Sequence, residues 1–130
     1  MRVLVLGGYG NFGARICRAL AGDATIELLV AGRSAARAEA LAASLPRTPH
    51  QTAPRGVVVD VDAPGLAQRL RDLQAGLVIH TAGPFQARDY GVAQACADAG
   101  AHYIDLADGR RFVVDFAGRL DRIFRAAGKV

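Results

Sequence analysis

Arg2-Val3-Leu4-Val5-Leu6-Gly7-Gly8-Tyr9-Gly10-Asn11-Phe12-Gly13-Ala14-Arg15-Ile16 is the stretch that decides the fold. It reads as a strand, a glycine-rich turn and the start of a helix. Val3 to Leu6 is an unbroken apolar run, as a strand covered on both faces requires. Gly8, Gly10 and Gly13 then follow at the G-x-G-x-x-G spacing. In that pattern the first glycine lets the chain turn sharply out of the strand. The second lets a pyrophosphate approach the backbone, and the third lets the helix pack closely on the sheet. The new helix points unpaired N–H groups and the positive end of its dipole at the phosphates. Its apolar stripe reads as Phe12, Ile16 and Leu20, the strand–turn–helix context that the motif needs.

Working outward, the first helix is expected over about 11–21, ended by Gly22. Thr25–Ala31 reads as the second strand. Ser34 is a good N-cap for a helix through about Leu45. Residues 46–54 carry three prolines and no periodicity, so they read as a loop. Gly56–Asp60 is the third strand. Asp62, ahead of Ala63-Pro64, has the pattern of a cap with proline in the first turn, and Leu66, Leu70 and Leu73 mark the helix face behind it. Leu77–His80 is the fourth strand. A helix with Val92, Cys96 and Ala99 inward ends at Gly100, and His102–Leu106 is the fifth strand. The last helix turns Phe112, Phe116, Leu120, Ile123 and Phe124 inward and leaves Arg119, Arg122 and Arg125 in water.

Strands thus alternate with helices five times, which implies a parallel sheet with right-handed crossovers and helices on both faces. The expected fold class is α/β: a doubly wound, three-layer αβα arrangement of the Rossmann type. Lys129-Val130 reads as the first step of a sixth strand. Residues 1–130 are therefore expected to be a dinucleotide-binding domain at the front of a longer protein, with a substrate domain outside this chain. An uncovered fifth-strand edge invites a second copy, so a homodimer or swapped terminus is expected.

Composition narrows the classes. The net charge is +4, but the arginines are scattered, aromatics do not interleave with them, and Lys129 is the single lysine. The charge reads as solvated helix faces rather than a nucleic-acid surface. No apolar run approaches the length of a membrane span, and no export signal precedes the first strand, so a cytoplasmic protein is expected. Cys17 and Cys96 read as reduced core thiols, and no cluster of ligands has metal spacing. There is no Tyr-x-x-x-Lys pair, no Lys-Ser/Thr after the glycine turn and no G-x-S-x-G. These absences argue against short-chain-dehydrogenase, P-loop and serine-hydrolase chemistry.

In such sheets the ligand lies beyond the carboxyl ends of the strands. Gly8, Tyr9, Gly10, Asn11, Phe12 and Gly13 are the expected diphosphate cradle. An NAD site places an acid about 20 residues into the motif, whereas this chain has Gly32, Arg33 and Ser34 there. A carboxylate repels a 2′-phosphate; a guanidinium fork, a hydroxyl and a helix N-terminus attract one. The coenzyme is therefore read as NADP(H). Asp60 and Val61 lie near the adenine in this reading, with Asp60 either at the base edge or bonded to local N–H groups. Asp62 is read as a cap. Thr81, Ala82, Gly83 and Pro84 would pass close to the second ribose and diphosphate. Tyr103, Asp105 and Asp108 either face a substrate or bind Arg110 and Arg111. His80 and His102 read as structural, and no catalytic residue is assigned.

Val5–Gly13, Ala31–Ser34, Thr81-Ala82-Gly83-Pro84-Phe85 followed by Tyr90-Gly91, and Ala99–Leu106 together resemble the NADP-binding domain of saccharopine dehydrogenase-like oxidoreductases. The resemblance spans nearly the whole chain. It implies that a first domain holds NADP(H), that a second domain supplies most substrate contacts, and that hydride transfer occurs at the carbon of an imine or secondary amine. The family often carries Gly-Glu after the Tyr-x-Asp-Leu segment, where this chain has Asp108-Gly109. A non-catalytic NADP(H)-sensing module is the alternative.

Overall fold

The computed structural model describes residues 1–83 and 89–130. Its strands are β1 (Arg2–Leu6), β2 (Glu27–Gly32), β3 (Arg55–Val58), β4 (Leu77–His80) and β5 (His102–Asp105). Its helices are α1 (Asn11–Leu20), α2 (Ala35–Ser44), α3 (Leu66–Asp72), α4 (Gly91–Ala99) and α5 (Arg110–Ala126). All strand pairs are parallel, in the order β3-β2-β1-β4-β5. The doubly wound arrangement expected from the alternation is what the chain adopts.

Residue alternation in β1 explains the three layers. Val3 and Val5 join Leu28 and Val30 in a core closed by Cys17 of α1, by Ala21 at its C-terminal cap and by Ala38 and Ala42 of α2. Leu4 and Leu6 point the other way, into a core with Leu29, Val78, Leu66 and Leu70 of α3, Cys96 of α4, and Leu120 and Phe124 of α5. Successive side chains of a strand face opposite sides, so a continuous apolar run feeds two cores at once. The register aligns Leu6 with Ala31 on one side and with His80 on the other. The strands therefore end together, and Gly7, Gly32 and Thr81 form one rim. The Tyr103 N–H donates to the Val130 carbonyl at 2.8 Å, which lays Val130 along the outer edge of β5, where the sixth-strand step was expected.

Three expectations are corrected. The face of α1 that meets the sheet is Gly13, Cys17 and Ala21, all buried, while Phe12 is 66% exposed and Ile16 and Leu20 are half-buried. Close approach of the helix to the sheet selects small residues there. Asp62 does not cap α3: the helix begins after Gly65, which sits in the left-handed region at φ 80°. The Asp62 N–H donates to the Asp60 carboxylate at 3.0 Å, a local turn that precedes the helix. Tyr103 meets neither Arg110 nor Arg111; it is buried between β5 and α5, stacked on Phe116 at 5.9 Å.

Cys17 and Cys96 are both free and buried, as expected of core thiols. Burial pushes Cys17 up to about 11, against the opposing pull of Arg18, and pushes Cys96 up to about 12. Among the described residues no helix is long and apolar enough to cross a membrane.

Candidate functional site

The carboxyl-end rim is built by contact between two loops. Gly7 takes φ +74°, and a Cβ there would stand 2.9 Å from the Ala82 nitrogen and from Thr81 Oγ1. Gly7 is thus the residue that turns the chain out of β1, one position ahead of the motif glycine to which the sequence assigned that duty. Gly8 has a different task. Its N–H donates to the Ala31 carbonyl at 2.9 Å, and a Cβ would lie 2.9 Å from Val30 Cγ1. Gly8 is therefore a close contact with β2. Thr81 locks the rim from the other side: its hydroxyl donates to the Leu6 carbonyl at 2.7 Å and reaches the Gly7 carbonyl at 3.2 Å.

Gly10 follows as the N-cap of α1 and supplies no side-chain cap. The first N–H groups of α1 have no intrahelical acceptor and point out of the rim. Gly13 performs the packing role expected of the third glycine. A Cβ on it would overlap the Gly7 carbonyl oxygen and come within 2.8 Å of Gly8 Cα. Asn11 and Phe12 stand exposed at the mouth of this cradle.

The second strand ends at Gly32, Arg33 and Ser34. Ser34 caps α2 as expected, its Oγ accepting from the Arg37 N–H at 3.3 Å. Arg33 is exposed and borders a cavity of about 120 Å³ with Leu6, Gly7, Gly32, Val59, Asp60, Val61, Asp62, Ala82 and Gly83. The structure therefore brings Arg33, Asp60, Val61, Ala82 and Gly83 around one recess, with Gly8, Gly10 and Gly13 beside it. Asp60 uses one oxygen on the Asp62 N–H, which realises the local alternative. Pro84 lies outside the described residues. Glu27 sits at the opposite end of β2, bound to Arg2 at 2.8 Å and Arg55 at 3.7 Å, so it does not enter the site.

A larger hollow of about 510 Å³ between α3 and α4 is lined by Asp62, Asp89 and Asp98 and by no described basic residue. Three carboxylates make it a poor place for a diphosphate. His80 and His102 are structural, as expected. His80 Nδ1 lies 3.1 Å from the Tyr103 hydroxyl in the core, and His102 Nδ1 accepts from the Val130 N–H at 3.2 Å. Burial pushes the Tyr103 phenol well above its ordinary range, with the nearby Asp105 carboxylate adding to the shift. Among the described residues no group of three or more His, Cys, Asp or Glu side chains could hold a metal ion.

A bare helix N-terminus behind a glycine turn, followed by an arginine at the second strand end, is chemistry for a phosphorylated dinucleotide. Residues 3–129 match the family described as the saccharopine dehydrogenase NADP binding domain. The chain belongs to that family. NADP(H) is accordingly its coenzyme, and the rim suits it: Gly7, Gly8 and Gly13 let the turn, β2 and α1 close on one another where a Cβ would clash, which leaves the first amides of α1 open beside them.

The saccharopine dehydrogenase domain fold is also seen in the apo, histidine-tagged saccharopine dehydrogenase (L-Glu forming) from Saccharomyces cerevisiae. That chain is similar at 20% identity with a TM-score of 0.61 over 99% of the present chain. The present chain spans 26% of the yeast chain's length. No curated protein sequence matches. Two features of the site were missed by reading the sequence. The turn at Gly7 was signalled by the Gly7-Gly8 doublet, and the contact of Tyr9 with the second strand end had no sequence signal.

Proposed function

We propose that residues 1–130 are the coenzyme domain of an oxidoreductase that transfers a hydride at the carbon of an imine or secondary amine, with the substrate held by a second domain. When bound, the nicotinamide supplies the hydride. The chain's own residues bind and orient. The α1 amides behind Gly10 receive the diphosphate, and Arg33 with the Ser34 corner receives the 2′-phosphate. Asp60 and Val61 border the adenine, and Thr81, Ala82 and Gly83 flank the second ribose. One observation carries this reading: the open α1 N-terminus and the Arg33 corner stand at adjacent strand ends, where the usual ribose-binding acid is replaced by a guanidinium.

Arg33→Ala tests it. Loss of a charged contact costs about 1.5–3 kcal/mol, so NADPH binding should weaken by more than tenfold while NADH binding barely changes. Equal losses for the two coenzymes would contradict the assignment. In the full-length protein, NADPH oxidation driven by an amine plus a keto acid separates the oxidoreductase from a non-catalytic NADP(H) sensor, which binds and turns nothing over.

A cytoplasmic location is part of this proposal; the two free buried thiols suit a reducing compartment. The β5 edge, with Ile104 51% exposed and Val113 of α5 alongside, is the surface on which a second copy would pair. A monomer by light scattering at high concentration would refute the homodimer.

A further inference from the structure

Tyr9 leaves the glycine turn and lies across the β2–α2 corner. Its ring covers Gly32 so closely that a Cβ there would overlap it. Its hydroxyl accepts from the Ser34 N–H at 2.9 Å. Over the ring, 4.5 Å from the centroid, stands the guanidinium of Arg37, a residue of the first turn of α2. An exposed arginine loses rotamer freedom when it is held in one place, and stacking on an aromatic face offsets that loss. The location is otherwise unfavourable, because cations belong at helix C-termini and anions at N-termini. The first turn of α2 contains no acid, and among the described residues no carboxylate is within ion-pair distance of Arg33 or Arg37. Two guanidiniums thus flank the positive end of α2 without a counter-ion, an arrangement that a dianionic group reverses into attraction.

We propose that Arg37 is a second guanidinium for the 2′-phosphate of the coenzyme, and that Tyr9 is the positioning residue that holds it in place. This rests on the reading of the Arg33–Ser34 corner as the 2′-phosphate site. Because Tyr9 occupies the Ser34 amide, that N–H is not offered to the ligand. The corner instead offers the next two amides, Ala35 and Ala36, which have no intrahelical acceptor, and two guanidinium forks. Tyr9 belongs to the glycine turn, so the diphosphate cradle and the selectivity corner share one side chain.

The test titrates NADPH, NADH, 2′,5′-ADP and 5′-AMP against the wild-type chain and the variants Arg33→Ala, Arg37→Met, Tyr9→Phe, Tyr9→Leu and Tyr9→Leu/Arg37→Met. The readout is the preference for the phosphorylated member of each pair, which a general loosening of the turn does not move. Arg37→Met should cut that preference by about tenfold, the loss of one charged contact. Tyr9→Phe keeps the ring and should keep the preference. Tyr9→Leu should cut it by about fivefold, with no further cut once Arg37 is already methionine. If Arg33→Ala lowers the preference and Arg37→Met does not, this inference is overturned and the Arg33 reading stands. If neither variant lowers it, or the wild type shows no preference, the reading beneath it fails as well. Melting curves confirm that each variant is folded; Arg37 is exposed, so its replacement leaves the core intact.

Discussion

Gly13→Ala and Gly118→Ala put the same methyl group into two helices, and the structure predicts opposite signs. Both glycines lie inside helices, α1 and α5. Relieving helical glycine gains about 0.5–1 kcal/mol at either site, because alanine has less backbone freedom to lose. At Gly118 nothing lies within 4 Å of the added carbon, so the gain stands alone. At Gly13 the methyl overlaps the Gly7 carbonyl oxygen and falls 2.8 Å from Gly8 Cα and from Thr81 Oγ1. Two of those three atoms are backbone and cannot rotate aside. Helix α1 must therefore move off the sheet, separating buried Cys17 and Ala21 from Val5 and Val30. Overpacking of this kind costs about 1–3 kcal/mol, which exceeds the gain. Thermal unfolding followed by circular dichroism should show Gly13→Ala melting several degrees below the wild type and Gly118→Ala melting slightly above it. NADPH binding should be lost or much weakened in the first and unchanged in the second. If Gly13→Ala melts at or above the wild type and still binds, the close-approach account of the glycine turn is wrong.

Other consequences follow from the core. Tyr103→Phe removes the phenol 3.1 Å from buried His80 Nδ1 and should cost about 1–2 kcal/mol in urea unfolding; an unchanged midpoint would mean the bond contributes nothing. Cys17 and Cys96 should both resist Ellman's reagent at pH 8 in the folded chain and react at once in urea. Their raised values also set a pH dependence. Between the ordinary value of 9.0 and about 11 for Cys17, or about 12 for Cys96, the folded chain keeps a proton that the unfolded chain releases. This contribution to stability is whole below pH 9.0 and declines as pH rises through those values. A melting temperature that rises between pH 9 and about 11 would reverse the predicted sign.

The strands were legible because parallel strands buried on both faces are continuous apolar runs. Val3–Leu6 and Leu77–His80 are short, unambiguous and bounded by glycine. What escaped detection was decided by contacts rather than by pattern. Of the bulky stripe of Phe12, Ile16 and Leu20, Ile16 and Leu20 pack at the margin of the core and Phe12 stands exposed, because the glycine turn brings the helix so near the sheet that the fully buried positions are the small residues Gly13, Cys17 and Ala21. The spacing of four from Gly13 already marked that small-residue face. Asp62-Ala63-Pro64 has a legitimate cap pattern, but residues 60–65 form turns, with the Asp60 carboxylate on the Asp62 amide, and the helix starts only after the left-handed Gly65. At the rim, the glycine turn of Gly8, Gly10 and Gly13 and the strand-end position of Arg33 and Ser34 were legible from spacing alone. The bridge from Tyr9 to Ser34 and Arg37 spans 25 residues or more of chain and exists only in three dimensions.

We propose that a turn without side chains grips a diphosphate while guanidinium groups at the second strand end select the phosphorylated coenzyme. Calorimetric titration of the folded chain with NADPH and with NADH tests it most directly. Saturable heat with NADPH is expected, with binding to NADH weaker by about tenfold or more, the effect of one lost charged contact. Equal affinity for the two, or no heat with either, would contradict it.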